Sequence, residues 1–196
     1  SEVTQQFDVD VIEVIDAAAT KPFGFMPFYP GPGAGGHCIP CDPHYLVWQL
    51  RAERRRVPLI EQAMVAIAER PGYVVDRVRE VLADHGVAAA GARILVVGVA
   101  YKPDIEDVRE SPALEIMATL RALGADVSYY DPLVPAVRLA DGSSLASVDD
   151  PSRQGADLVL LHTRHRVLDL DWIADAAPLV LDATYRQRNL PHRATP

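Results

Sequence analysis

Four short, almost wholly apolar runs in the second half of the chain limit its fold more than any other feature: ILVVGVA at Ile94–Ala100, VSYYD at Val127–Asp131, DLVLLHT at Asp157–Thr163 and LVLDAT at Leu179–Thr184. Runs of this length with little polar alternation predict strands covered on both faces. A helical pattern over Pro112–Leu123, closed by Gly124, separates the first two, and a helix is expected around Trp172 before the last. Strands alternating with helices predict an α/β fold with a doubly wound parallel sheet. The chain's 196 residues suffice for one such domain with an attached helical segment. We expect the sheet domain over 91–196 and the helical segment over 1–90.

In that helical segment, Val11, Ile12, Val14, Ile15 and Ala18 follow helical spacing within Asp8–Ala19. A helix so placed needs something to cover its apolar face, which predicts a fragment or an oligomer, with a homodimer expected. Thr20–Pro43 is dense in proline and glycine and predicts a long shaped loop without regular structure. Such loops are usually functional. Tyr45–Glu53, Leu59–Arg70 and Tyr73–His85 read as helices, with Pro71 breaking or kinking the path. The stretch Ser147–Gln154 reads as a surface connection.

A net charge of -8 argues against a nucleic-acid partner. The basic run RAERRR at Arg51–Arg56 falls where a helix is expected to end, where cations favour the dipole and water. No apolar run approaches the ~20 residues of a membrane span. The first residues lack the pattern of a signal peptide, so the expected location is cytoplasmic. Only Lys21 and Lys102 are lysines among 19 basic residues, which singles both out.

Both cysteines lie in GGHCIPCDPHYL, as Cys38 and Cys41. His37, Cys38, Cys41 and His44 supply metal-ligand types, but adjacent His37 and Cys38 fit one tetrahedron poorly. CxPC is also the spacing of a redox dithiol, although that motif normally follows a strand directly. A catalytic thiol in a glycine-shaped pocket is the third reading.

The run TKPFGFMPFYPGPGAGGHCIPCDPHYL (20–46), together with GVAYKPDIEDVRESPA (98–113), resembles the UDP-glucose/GDP-mannose dehydrogenase family, closest to its UDP-N-acetylhexosamine 6-dehydrogenases. The resemblance covers the family's C-terminal portion. It implies a Rossmann-like, nucleotide-sugar-binding C-terminal domain. It also implies NAD-dependent oxidation of a sugar C6 hydroxyl to a carboxylate through a cysteine thiohemiacetal and thioester, serving polysaccharide biosynthesis. Cys38 matches the family nucleophile and Asp42 an acidic residue near the hydrolytic water; Asp42 also reads as an N-cap for a helix beginning near Pro43. Phe28, Tyr29 and the glycines including Gly35 match the sugar-contacting loop, with packing beneath the loop as the alternative for both rings. Tyr101 and Lys102 match nucleotide contacts, and Arg109 a residue directed at the cofactor, with an ion pair to Glu106 or Glu110 as its plainer reading. Lys21 aligns loosely with a basic residue presented to a neighbouring subunit's nucleotide, and Arg186, with Arg188 serving equally, to a C-terminal arginine. His162 and His165, at the end of the third strand, have two readings, lining the cleft or standing in solvent, and as polar strand ends are commonly solvated they are left out of the site. GxGxxG is absent, so NAD is expected to be bound mainly by a domain this chain lacks, and the fragment alone is expected to be inactive. A stand-alone nucleotide-sugar-binding or dimerisation module is the alternative. Cys41 departs from the family pattern and suggests redox masking of Cys38.

Overall fold

The computed structural model describes residues 1–7, 9–186 and 193–195. Arg188 therefore lies outside the described residues. Strands β1 (Arg93–Val97), β2 (Asp126–Tyr130), β5 (Leu158–Leu161), β6 (Leu179–Asp182) and β7 (Arg193–Ala194) form one sheet in the order β2-β1-β5-β6-β7. Every pairing is parallel. The four predicted strands are all present: β5 and β6 are shorter than their apolar runs, β1 starts one residue earlier and ends three earlier, and β2 keeps its length one residue earlier. A short hairpin of β3 (Ala136–Arg138) and β4 (Ser144–Ala146) lies beside them.

Alternate residues of the buried strands feed two cores. Ile94, Val96, Leu158, Leu160, Leu179 and Leu181 face one side, against α5 (Pro112–Ala122) and the last turns of α4 (Pro58–Asp84). Leu95, Val97, Val159, Leu161 and Val180 face the other, against Leu168, Leu170 and the short α6 (Ile173–Ala176). Helical cover on both faces makes the sheet doubly wound, as the uninterrupted apolar runs predict. Because α4 supplies Val74, Val78 and Leu82 to the first core, the helical segment and the sheet share one interior.

The helical segment departs from the prediction in three places. A short α1 (Glu2–Gln6) precedes α2 (Val11–Ala19), whose start is fixed by Asp10, the side chain accepting from Ile12 N–H at 2.8 Å. Asp8, the predicted start, lies outside the described residues. Helix α3 begins at Cys38, not near Pro43, and runs to Ala52. Pro40 falls in its first turn, where an N–H has no helical partner to lose. Pro43 is internal. Helix α4 passes unbroken through Pro71, so two predicted helices are one of 27 residues.

Candidate functional site

The strand order places a topological switch between β1 and β5: the chain leaves β1 toward β2 on one side and later returns to β5 on the other. Ligands of open parallel sheets bind beyond the carboxyl ends of the strands at such a point. A cavity of about 520 Å³ lies there. Its walls come from the turns after β1 (Tyr101, Lys102), β5 (His162, Thr163, Arg164, Arg166) and β6 (Thr184, Arg186), and from Pro30–Gly33 of the long loop. Four cationic side chains, Lys102, Arg164, Arg166 and Arg186, thus line one hollow with no carboxylate among its lining residues, in a chain whose net charge is -8.

Hydrogen bonds hold the turn carrying Tyr101 and Lys102. Asp131, at the end of β2, accepts from Val99 and Ala100 N–H with Oδ2 and from Leu133 and Val134 N–H with Oδ1. Burial pushes the Asp131 carboxyl upward, but the His165 ring and these amides hold it below the usual carboxylate range. His165 Nδ1 accepts from Asp104 N–H at 2.9 Å, so Nε2 carries the proton and donates to Asp131 Oδ2 at 3.1 Å. Asp104 in turn pairs with Arg166 at 2.7 Å; the Arg166 amide and guanidinium hold its carboxyl below the usual range. Gly98 makes this turn possible: it has φ +77°, and a Cβ there would stand 1.9 Å from Thr163 O.

The two histidines are buried, correcting the expectation of solvated strand ends. His162 Nδ1 lies 2.9 Å from Thr163 Oγ1, whose own hydrogen goes to Ala100 O at 2.7 Å. The proton therefore sits on Nδ1 and Nε2 is an acceptor; it meets no partner among the described residues. Burial pushes His162 down to about 4, and the Gly98 backbone and Asp131 carboxylate pull the other way without overcoming it. Sequence periodicity carried no sign of this, because Asp131 and Asp104 meet His165, and Ala100 meets the Thr163 beside His162, only through the fold.

The cysteine loop forms the opposite wall. A Cβ on Gly35 would lie 2.5 Å from Tyr101 Cβ and 2.7 Å from Glu110 O, while one on Gly36 would lie 2.9 Å from the Tyr101 ring. The close approach that Gly35 and Gly36 allow is thus to the chain's own β1 turn, and Gly36 N–H donates to Arg109 O at 2.9 Å. Arg70 of α4 fastens the loop from behind, donating to Gly31 O at 2.9 Å and to Tyr185 Oη at 2.6 Å. Two residues beyond Gly36, Cys38 opens α3 as an exposed free thiol, at a helix end that favours negative charge. Asp42 lies one turn on, exposed, with Oδ1 3.8 Å from His37 Nδ1. It is inside the helix, so the N-cap reading fails; His37 is the N-cap residue and makes no side-chain cap.

Of the residues singled out by sequence, Tyr101, Lys102 and Arg186 line the cavity, with Lys102 Nζ 5.4 Å from the Tyr101 ring centre. Arg109 forks onto Asp107, at 2.6 Å, rather than onto Glu106 or Glu110. Phe28 is 77% exposed and Tyr29 45%, so neither packs beneath the loop. Tyr29 donates to Asp16 at 3.0 Å, which raises its pKa. Lys21 stands apart from the cavity, over the Phe23 ring. Arg164 and Arg166 were missed; their signal was their place three and five residues past the end of β5. No group of three or more His, Cys, Asp or Glu suited to a metal occurs among the described residues.

Residues 1–85 match the central domain of the UDP-glucose/GDP-mannose dehydrogenase family, and residues 95–186 match that family's UDP binding domain. UDP-N-acetyl-D-glucosamine 6-dehydrogenase of Pseudomonas aeruginosa is 28% identical over 163 residues, 83% of this chain and 38% of that protein. UDP-N-acetyl-D-mannosamine dehydrogenase of Campylobacter jejuni is 36% identical over 120 residues, 61% of this chain and 28% of that protein. The solved structure of a UDP-D-ManNAc dehydrogenase from Pyrococcus horikoshii superposes with a TM-score of 0.82 at 26% identity, over 98% of this chain and 45% of that one. The chain thus spans less than half the length of these relatives.

Proposed function

The chain belongs to the UDP-glucose/GDP-mannose dehydrogenase family, and from that premise we propose that it forms the nucleotide-binding and thiol-bearing part of an NAD-dependent UDP-sugar 6-dehydrogenase. The observation that carries this reading is the four-cation cavity at the sheet's switch point, walled on its far side by the cysteine loop.

Lys102, Arg164 and Arg186 suit a diphosphate, the arginines through paired N–H donors and the lysine as a point charge. The sugar then extends toward the loop, where the Cys38 thiolate adds to a C6 aldehyde to give a thiohemiacetal. Once that adduct is oxidised to the thioester, water activated by Asp42 releases the carboxylate. A thioester suits this role because it forms from a strong nucleophile and still hydrolyses.

NAD is the hydride acceptor in this reading, and the described residues do not fit it. The turn after β1 holds Gly98 against Thr163 rather than opening a phosphate cradle, and α5 begins fourteen residues after that glycine instead of directly following the strand. These residues alone are expected to produce no NADH. We also assign the exposed apolar side chains of residues 3–65 to a homodimer contact, checked by sedimentation equilibrium, and the setting to the cytoplasm.

Titration calorimetry with UDP tests the site. Lys102→Ala and Arg186→Ala should each weaken binding about tenfold, the loss expected of one charge-assisted contact, and added salt should weaken the unaltered chain as well. Unchanged affinity in both variants would remove the nucleotide from this cavity. A bound UDP-sugar should also slow alkylation of Cys38 by iodoacetamide.

A further inference from the structure

The proposed chemistry uses one of two thiols. Cys41 is three residues beyond Cys38 in the first turn of α3, and both are free, Cys38 exposed and Cys41 half-buried. Helical residues three apart share a face. A rise of about 1.5 Å and a turn of about 100° per residue put their Cα atoms about 5 Å apart. A disulfide accepts roughly 4.4–6.8 Å. Had α3 begun near Pro43, nothing in the backbone would fix this spacing; because it begins at Cys38, the helix sets it. Cys41 N–H closes the turn onto His37 O at 3.0 Å, and Pro40 restricts the backbone between the sulfurs.

We propose that Cys38 and Cys41 form a site of reversible oxidation by hydroperoxides. The Cys38 sulfur reacts first, since it is exposed at the start of the helix whereas Cys41 is half-buried. The thiolate displaces hydroxide from the peroxide's O–O bond, giving a sulfenic acid and, after protonation, water. The Cys41 sulfur then attacks the sulfenic sulfur, expelling a second water and closing the disulfide. Two thiols lose two electrons and two protons, and the peroxide takes up both pairs. The chain has only these two cysteines, so an internal disulfide can join no others. The disulfide removes the nucleophile; that consequence rests on the catalytic reading of Cys38, whereas disulfide formation does not.

The test is to treat the purified chain with mild hydrogen peroxide, alkylate it with iodoacetamide and weigh the peptide that carries residues 38–41. The expected peptide has lost two hydrogens and taken up no alkyl group, and dithiothreitol restores both alkylations. In Cys41→Ala, Cys38 should instead advance to the sulfinic acid, which dithiothreitol does not reverse. Sulfinic acid at Cys38 of the unaltered chain with Cys41 still alkylated would overturn the proposal, as would a disulfide between two chains. The unaltered chain decides the case alone if Cys41→Ala does not fold. A disulfide that forms in a chain whose Cys38 is never shielded by UDP-sugar supports this site and sinks the catalytic reading instead.

Discussion

In the sheet, Leu95, Val96, Val97, Leu160 and Leu181 are completely buried, whereas in the helical segment Phe23, Met26, Phe28, Trp48 and Leu59 are each more than 70% exposed. Among the described residues, fifteen of the seventeen large exposed hydrophobic side chains lie between Val3 and Val65. Helix α4 crosses the divide, with Leu59 and Val65 in solvent and Val74, Val78 and Leu82 in the core. The sheet region is stabilised by its own interior. The helical region presents surface, and it reaches the sheet through a few contacts: the end of α4, the Arg70 hydrogen bonds, and Gly35 and Gly36 against Tyr101.

The contrast is open to attack by substitution. Leu160→Ala should destabilise the chain by about 2–5 kcal/mol, since it removes a wholly buried side chain and leaves a cavity; urea unfolding measures it, and a loss below about 1 kcal/mol, the size of an average substitution, would mean that the sheet core is not what holds the fold. His162 tests the same core by pH. Its folded-state value of about 4 lies below the ordinary 6.5, so between these values the unfolded chain binds the proton and the folded chain does not. Stability should therefore fall as pH drops from 6.5 toward 4, by roughly 3 kcal/mol in all. His162→Gln should flatten that part of the profile, and an unchanged slope would show that another group titrates there.

Gly35→Ala probes the junction. Its methyl group would meet Tyr101 and Glu110 O, so the loop must lift, at about 1–3 kcal/mol. Faster iodoacetamide labelling of Cys38 in this variant would locate the strain at the loop, and wild-type labelling and stability together would show that the loop is not seated there. The smallest effect is expected at Leu59→Ala measured in the dilute, monomeric chain, within about 0.5 kcal/mol, because the side chain is 83% exposed there. A loss like that of Leu160→Ala would mean Leu59 is covered, and its dependence on protein concentration would tell whether by a second copy.

The strands were legible because a doubly covered strand must be apolar at nearly every step, and Ile94–Val97, Leu158–Leu161 and Leu179–Leu181 meet that condition locally. The start of α3 and the continuity of α4 were misread for one physical reason. Proline disfavours a helix interior, but Pro40 in a first turn loses no bond, and packing around the buried Pro71 carries α4 across the bond it does lose. The β3–β4 hairpin escaped notice because its strands are only three residues long. In the site, Lys102 and Tyr101 stood out through the motif they belong to. The burial of His162 and His165 did not, because it depends on residues distant in sequence: Ala100, which holds the Thr163 beside His162, and Asp131, which bonds His165.

The fastening of the cysteine loop bears on the order in which the molecule comes apart. Gly36 to Arg109 and Arg70 to Gly31 and Tyr185 are contacts between residues 39 to 115 positions apart for Arg70, and they hold a segment with no regular structure from residue 25 to residue 31. Segments with few buried contacts open by local fluctuation at free energies below that of global unfolding. The wall that carries the thiol therefore has a stability of its own, smaller than that of the sheet it leans on. Amide hydrogen exchange should register two classes of protons, with Gly36 N–H exchanging through loop release while the amides of β1 and β5 wait for the whole fold to open.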